Sequence, residues 1–241
     1  MGLFSLNTPL LPLFNGFVDY HCHILPGVDD GVRKMSDSLA ILEEYSKMGV
    51  KQVYLTPHVM EDVPNSPAAL RTRFEELKAA LVEKGIEAPE LRLASEHMLD
   101  GLFENRLRSG DVLPLGSAHL LVETSYYNPP FNMDDLLFAV NAKGYVPVLA
   151  HPERYMYMEI KDYEKLKSDG VWFQLNLSSL LGFYGHVAKN KAERLLKEGW
   201  YNLVGTDLHR RTTLDGYKEA VLRKRFVPRL EELFERTAQG L

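Results

Sequence analysis

Short apolar segments alternate along the chain with longer segments of helical periodicity. The apolar segments cover about residues 16–23, 53–55, 91–94, 120–122, 146–150, 171–175 and 202–205. Amphipathic stretches separate them, as in residues 36–47, where Leu39, Leu42 and Tyr45 share one helical face. Short strands that are apolar on both faces and flanked by helices indicate a parallel sheet covered on both sides. Because no glycine-rich nucleotide-binding turn is present, seven such units favour a β/α barrel over an open sheet.

The remaining segments are less regular. We predict a helix over residues 99–108, a short strand at residues 112–113 and a helical tail in which Pro228 lies in the first turn of the last helix. No repeat, low-complexity segment or linker divides the chain, so residues 16–241 are predicted to form one domain. Residues 1–15 are apolar but interrupted by Pro9 and Pro12, and we interpret them as an arm lying on the domain or on a neighbouring subunit.

Composition narrows the class of protein. The 241 residues are 45% hydrophobic and 25% charged, which is ordinary for a globular chain with a core. A net charge of −5 argues against a nucleic-acid partner, because binding to phosphate backbones relies on basic surfaces. The single cysteine excludes an intrachain disulfide and fits a reducing compartment. No apolar run reaches the ~18 residues that span a bilayer, so we expect a cytoplasmic protein without stable membrane insertion.

Metal-ligand side chains follow most of the predicted strands. His21 and His23 are two residues apart, so they share one face of a strand. In a β/α barrel the carboxyl ends of the strands converge on one face, where active sites are built. A lone histidine or glutamate after a strand is usually a loop residue or a helix cap, but repetition at six strand ends predicts a shared metal centre. The candidate ligands are His21, His23, Asp30, His58, Glu96, Glu123, His151, Asp207 and His209.

The chemistry of these ligands limits the metal. Imidazoles and carboxylates without thiolates suit Mn²⁺, Fe or Zn²⁺ in a water-bearing catalytic site, and several close cations favour phosphate chemistry. Arg154 and the pair Arg210 and Arg211 lie beside ligands and could hold phosphate oxygens. The alternative is a surface ion pair, for example of Arg154 with Glu153, and for Arg210 we favour that alternative.

These residues together resemble a known family. The segments DYHCHILPGVDDG (residues 19–31), LTPH (55–58) and AHPERY (150–155) are similar to those of PHP (polymerase and histidinol phosphatase) metal-dependent phosphoesterases. In the amino acids of these motifs the chain is most similar to the bacterial protein-tyrosine phosphatases of the CpsB/CapC/YwqE family, over about residues 16–225. The resemblance implies the PHP fold, a distorted (β/α)7 TIM-like barrel.

The resemblance also implies three divalent metal ions, with Mn²⁺ expected and Fe or Zn²⁺ as alternatives. One ion would take His21, His23, Glu96 and Asp207. A second would share Glu96 and take Glu123 and His151. A third would take Asp30, His58 and His209. At the reacting phosphate we expect Arg154, Asp207 and His209, with Arg211 as the choice for a second phosphate-binding arginine.

The implied function is hydrolysis of phosphotyrosine on the tail of a bacterial tyrosine autokinase, which would regulate capsule or exopolysaccharide synthesis. The alternatives are a small-metabolite phosphatase such as histidinol phosphatase, another PHP phosphoesterase, a nuclease and a catalytically silent binding module. The negative net charge disfavours the nuclease. Cysteine-based phosphatases place an arginine six residues after the nucleophile, but Val28 stands six residues after Cys22. We therefore expect Cys22 to be inert and water to attack phosphorus directly.

Several assignments stay open at this point. Asp19 could orient His21 or His23, or it could serve a turn. A set of aromatic residues near two ligand positions could line a groove for an aromatic substrate, although packing is the more common role. The set is Tyr126, Tyr127, Phe131, Tyr155 and Tyr157. We treat His97, His119 and His186 as structural. A homo-oligomer is compatible with the sequence.

Overall fold

The computed structural model describes residues 6–241 and contains eleven strands and nine α-helices within that range. The strands are β1 (Asn7–Pro9), β2 (Val18–Cys22), β3 (Gln52–Leu55), β4 (His58–Val59), β5 (Glu90–Leu93), β6 (Glu96–Met98), β7 (His119–Glu123), β8 (Val146–Ala150), β9 (Trp172–Asn176), β10 (Leu203–Gly205) and β11 (Val221–Arg223). The helices are α1 (Met35–Lys47), α2 (Pro67–Lys84), α3 (Phe103–Ser109), α4 (Met133–Ala142), α5 (Ile160–Ser168), α6 (Leu177–Leu181), α7 (Gly185–Glu198), α8 (Arg211–Glu219) and α9 (Val227–Ala238).

The strands from β2 to β10 form a curved parallel sheet. Strands pair in the orders β2-β3-β5 and β10-β9-β8-β7-β6-β4, and all of these pairs are parallel. β3 leads into β4 across two residues, and β5 leads into β6 in the same way. At the other edge, the His23 N–H donates to the Leu208 carbonyl at 3.0 Å, and the Asp207 N–H donates to the His21 carbonyl at 2.7 Å. The first and last strands of the parallel series therefore meet at their carboxyl ends.

Burial explains why these segments are strands and helices. All five residues of β2 are buried, because helices cover the sheet outside and further side chains fill it inside. The large apolar cluster lies between sheet and helices, and α1 contributes Ile41, Leu42 and Tyr45 to it. A smaller cluster consists mostly of strand residues, and the rings of Tyr20 and Tyr54 stack in it at 5.0 Å. The Tyr20 hydroxyl donates to the Thr237 carbonyl, so α9 is attached to this smaller cluster.

The structure corrects the predicted elements at several places. Residues 112–113 are not a strand, because they contact the sheet through single hydrogen bonds, such as that from the Ser95 N–H to the Leu113 carbonyl, and not through a ladder. The helix predicted over residues 99–108 begins only at Phe103. Neither α6 nor β11 was predicted. As expected, Pro228 lies in the first turn of α9.

The second half of the predicted arm packs on the domain. β1 pairs antiparallel with β11, and Leu10 and Phe14 are completely buried. Residues 1–5 of the arm lie outside the described residues. Within residues 6–241, no helix combines the length and the apolar character needed to cross a bilayer.

Candidate metal centre

His21 and His23 lie side by side where β2 meets the chain after β10. Both side chains are buried, and their Nε2 atoms are 3.1 Å apart. His21 Nδ1 lies 2.9 Å from Gln174 Oε1, which also accepts the His151 N–H. His23 Nδ1 lies 2.8 Å from Asp29 Oδ2. Because each Nδ1 faces an acceptor, the Nε2 atoms of both rings are the ones available to a cation at the point where they meet.

Two carboxylates converge on that point. Glu96 Oε2 lies 3.2 Å from His21 Nε2 and 3.3 Å from His23 Nε2. Asp207 Oδ1 lies 3.5 Å from both nitrogens. Ligand atoms that surround a cation tetrahedrally at roughly 2.0–2.1 Å are roughly 3.3 Å from one another. His21, His23 and Glu96 are therefore spaced as a cation would require, and Asp207 lies slightly farther from the two histidines.

A second set of ligand atoms continues from Glu96. His58 Nδ1 lies 3.1 Å from Glu96 Oε2 and 3.0 Å from Glu123 Oε1. His151 Nε2 lies 3.0 Å from Glu96 Oε1 and 3.8 Å from Glu123 Oε2. The geometry thus differs from the expected division of ligands, which placed His58 only in the third set. Glu96 stands at the centre of the whole cluster.

The third set lies nearest to solvent. Asp30 Oδ1 is 3.4 Å from His58 Nε2 and 3.4 Å from His209 Nε2. His209 Nδ1 donates to its own neighbour, the Asp207 carbonyl, at 2.9 Å, which leaves Nε2 free as an acceptor. These three residues and His23 could hold a cation. All nine predicted ligands are therefore brought into one continuous cluster, and their role as ligands remains a prediction.

The charges of the cluster demand a counter-charge. Burial lowers the pKa of His21, but Glu96 and Asp207 outweigh burial and raise it to about 9. Burial likewise acts against His58, yet Glu96 and Glu123 raise its pKa to about 12. Burial and the neighbouring Glu96 raise the pKa of Glu123 to about 7. Without a cation, the buried carboxylates must be neutralised by protons on the imidazoles.

Unsatisfied atoms and backbone strain fit the same interpretation. His58 Nδ1, Glu96 Oε2, Glu123 Oε1 and His151 Nδ1 are buried without a partner in hydrogen-bond geometry among the described residues. Such orphaned groups are costly, and His58 Nδ1 lies within 3.1 Å of both Glu96 Oε2 and Glu123 Oε1, so one cation could satisfy all three atoms. Within residues 6–241, the non-glycine residues with positive φ are His151, at 34°, and Asp207, at 52°. Left-handed backbone at two predicted ligands is strain of the kind that gathers at functional sites.

Glycines let the backbone pass close to the histidines. A Cβ at Gly205 would lie 2.4 Å from the His21 Cβ and 2.8 Å from the His21 nitrogen. A Cβ at Gly31 would lie 2.3 Å from the His23 carbonyl oxygen. Neither position can carry a larger side chain without displacing a predicted ligand.

Arg154 points into the centre. Its Nη1 donates to Asp207 Oδ2 at 2.7 Å. The guanidinium is held between the rings of Tyr126, at 4.3 Å, and Tyr184, at 4.0 Å. The alternative pairing with Glu153 is wrong, because buried Glu153 accepts from the Asn176 N–H and the Tyr201 hydroxyl instead. Arg154 is therefore a fixed cation beside the predicted metal ligands.

Several residues of the centre were missed by sequence reasoning. Asp29 and Gln174 orient His23 and His21, and Tyr184 covers Arg154. Asn176 also belongs here, because its Nδ2 donates to Asp207 Oδ2 at 2.8 Å. The position of Asp29 directly beside the predicted ligand Asp30 could have indicated its role. No local pattern indicated the other three, because their partners are distant in sequence.

Asp19 does not orient either histidine ring. Its carboxylate accepts from the Tyr45 hydroxyl, from the Thr206 N–H and hydroxyl, and from the His21 N–H. It therefore joins the first strand of the sheet to the last. Burial, opposed by these hydrogen bonds, raises its pKa to about 6.

Cys22 is buried and donates to the Tyr54 carbonyl, and burial raises the pKa of its thiol well above the usual range. An inert thiol is what we expected.

The five aromatic residues considered as a possible groove lie in different environments. Tyr155 is fully buried, and its hydroxyl accepts the Thr124 N–H, so it packs and does not line a groove. Tyr157 hydrogen-bonds Thr124 through its hydroxyl. Tyr127 and Phe131 are exposed. Tyr126 contacts both Arg154 and His151, and the ring of buried Tyr155 also packs against His151, at 5.7 Å.

The two arginines after His209 are exposed at the start of α8. The ion pair expected for Arg210 is not formed within residues 6–241, where no carboxylate lies within 4 Å of it. Arg211 borders a cavity beside His209, and its binding of phosphate remains a prediction.

Sequence comparisons find relatives that match most of this chain. "Tyrosine-protein phosphatase YwqE" of Bacillus subtilis is 30% identical over 233 residues, covering 93% of this chain and 91% of the relative. "Putative tyrosine-protein phosphatase CapC" of Staphylococcus aureus is 24% identical, covering 80% of this chain and 76% of the relative.

Solved structures are similar as well. One of them is described as belonging to "Crystal structures of YwqE from Bacillus subtilis and CpsB from Streptococcus pneumoniae, unique metal-dependent tyrosine phosphatases". It has a TM-score of 0.79 and 26% sequence identity, and the match covers 92% of each chain. A lactonase from Listeria monocytogenes shares the fold alone, with a TM-score of 0.55 at 12% identity, covering 96% of this chain and 95% of the lactonase. A family model described as capsular polysaccharide synthesis, CpsB/CapC, matches residues 17–225. The chain therefore belongs to the CpsB/CapC family of capsular polysaccharide synthesis proteins.

Proposed function

We propose that this protein is a metal-dependent protein-tyrosine phosphatase that acts in capsule or exopolysaccharide synthesis. The observation that carries the proposal is the single cluster of buried imidazoles and carboxylates next to Arg154. Membership of the CpsB/CapC family supports it, as do relatives named as tyrosine-protein phosphatases.

The centre would hold three divalent ions, with Mn²⁺ as the expected metal. His21, His23, Glu96 and Asp207 would hold the first ion. Their neighbours would hold the other two, with His58 and Glu123 beside Glu96, and with Asp30 and His209 at the solvent side. The fold that positions them would be a distorted (β/α)7 barrel. Its seven strands would be β2, the pair β3 and β4, the pair β5 and β6, and then β7 to β10.

The chain's own residues prepare the site for a phosphate monoester. When bound, the ions would lower the pKa of water and stabilise the attacking and leaving oxygens. The Arg154 guanidinium is pinned between Tyr126 and Tyr184, so it can bind phosphate oxygens at little conformational cost. A tyrosine leaving group, with a pKa of about 10, needs little help from a general acid. No phosphoenzyme is required, and Cys22 is buried away from the centre.

We infer a tyrosine-phosphorylated autokinase tail as the partner and the cytoplasm as the location. A homo-oligomer is compatible with the proposal. A small-metabolite phosphatase such as histidinol phosphatase would use the same ligands, so substrate comparison must separate the two.

The test combines metal removal with substrate choice. Excess chelator should abolish hydrolysis of a phosphotyrosine peptide, and added Mn²⁺ should restore it. His58→Gln should lose most activity, whereas the matched His119→Gln, outside the cluster, should retain it. Full activity in chelator would overturn the metal dependence. Strong preference for histidinol phosphate over the peptide would replace the proposed substrate.

A further inference from the structure

A basic cavity opens beside the solvent side of the centre. It has a volume of about 450 Å³ and lies between the first turns of α1 and α8. Asp30 and His209, both predicted metal ligands, form one wall. Arg33, Lys34, Arg210 and Arg211 also line it, together with Gly31, Val32 and Asp37.

Within the described part of the chain, the four basic side chains have no acidic partner of their own. Among residues 6–241, no carboxylate lies within 4 Å of any of them, whereas other surface cations such as Arg73 and Lys78 are paired. All four are exposed at the cavity rim. Asp37 is the acidic residue that opposes them within the lining, besides Asp30, whose Oδ1 faces His58 and His209. In a protein of net charge −5, this is a local excess of positive charge.

The backbone adds to this field. α1 begins after Lys34 and α8 begins after Arg210, and neither of these N-cap residues supplies a side-chain cap. Both helices therefore begin at the cavity without a side-chain cap, and helix N-termini favour anions. Cations and helix ends together favour an anionic occupant.

We infer that this cavity binds a second anionic group of the substrate, next to the phosphotyrosine that is hydrolysed. The inference rests on the proposed function and specifies its substrate class. Because the cavity shares Asp30 and His209 with the centre, a phosphotyrosine in the centre places the adjoining peptide residues within reach of Arg33 and Lys34. The second group is a carboxylate or another phosphate, since the cations would recognise either one.

The experiment measures kcat/KM for three phosphotyrosine peptides of the same length. One has uncharged neighbours, one has glutamates beside the phosphotyrosine, and one has a second phosphotyrosine. The wild-type protein is compared with Arg33→Gln/Lys34→Gln, and with Lys197→Gln/Lys224→Gln as a control. The control removes the same charge at exposed residues that also lack an ion pair but lie outside the cavity.

We expect the wild type to prefer at least one anionic peptide about tenfold over the uncharged peptide. The ratio of kcat/KM for the anionic peptide to kcat/KM for the uncharged peptide should fall towards one in Arg33→Gln/Lys34→Gln and stay unchanged in the control. In the wild type this ratio should decrease as the salt concentration rises. The glutamate and phosphotyrosine peptides show which anion is bound.

Three outcomes would overturn the inference. They are equal rates on all three peptides, an unchanged preference in the double variant, and an equal loss on all peptides, which would assign these cations to the reacting phosphate. Failure to hydrolyse any of the peptides would instead refute the proposed phosphatase activity, and the inference with it.

Discussion

Metal binding to this centre should release protons, and the number follows from the imidazoles. In the metal-free protein the neighbouring carboxylates overcome burial and hold the pKa of His21 at about 9 and that of His58 at about 12. Both rings are therefore protonated at pH 8. A metal ion binds only the neutral ring, so each must lose its proton.

We predict release of at least about two protons, from His21 and His58, when Mn²⁺ saturates the metal-free protein at pH 8. Burial lowers the pKa of His209 but Asp30 and Asp207 outweigh it and raise that pKa, so His209 can only add to this number. Glu123, with a pKa of about 7, is then mostly ionised and adds little. Protons compete with the metal for the imidazoles, so the affinity for metal falls as pH falls. Two protons correspond to about a hundredfold weaker binding for each pH unit below 8.

Isothermal titration in buffers of different ionisation enthalpy measures the proton count directly. The His58→Gln variant should release about one proton fewer, and the His119→Gln control should match the wild type. A binding enthalpy that is independent of the buffer, or an affinity that does not change between pH 7 and 8, would refute the reasoning.

Three further predictions follow from single contacts. Arg154→Ala should lower kcat/KM for a phosphotyrosine peptide by about 100-fold or more and Arg154→Lys by less, because lysine keeps the charge but loses the planar fork between the tyrosines; equal activity of all three proteins would exclude the proposed role. Gly205→Ala should destabilise the protein by about 1–3 kcal/mol and reduce its metal content, since the added Cβ meets His21; urea unfolding and metal analysis check this, and wild-type values for both would contradict it. Asp19→Asn should remove part of the pH dependence of the unfolding free energy. Burial raises the pKa of Asp19 in the folded protein from 3.8 to about 6, so the folded wild type binds a proton more tightly than the unfolded chain. As pH falls through this range, the wild type should therefore gain about 3 kcal/mol of stability relative to the variant. Denaturation of the metal-free proteins at pH 7 and 4 measures the difference, and a constant difference would show that Asp19 is not the titrating group.

The sequence was most informative where a periodic rule applied. His21 and His23 could be placed together because strand side chains alternate, and His151 and Asp207 could be added because parallel strands end on one side of a sheet. All of the predicted ligands lie in one cluster for that reason. The large helices were predicted to within a few residues because their apolar faces have a clear period.

What the sequence could not supply depends on contacts between distant residues. Gln174 looks like any polar residue in a strand until His21 is placed against it. Tyr184 reaches Arg154 from the turn before α7, and no local pattern marks that approach. β1 and β11 have three residues each, which is too short for a period to be visible. The sequence also did not show that both ring nitrogens of His58 face carboxylates, Nε2 facing Asp30 and Nδ1 facing Glu96.

The hydrogen bonds that join the chain around His21 to the chain around Asp207 have a consequence for biosynthesis. A polypeptide emerging from the ribosome carries His21 and His23 early and Glu96 midway, but nearly the whole chain must be made before Asp207 reaches them. Until then Asp19 also lacks Thr206, so the earliest strand has no partner on one side. If the centre binds metal as proposed, loading would be a late event in the life of the nascent protein, and products truncated before Asp207 would lack one of the expected ligands of the first ion.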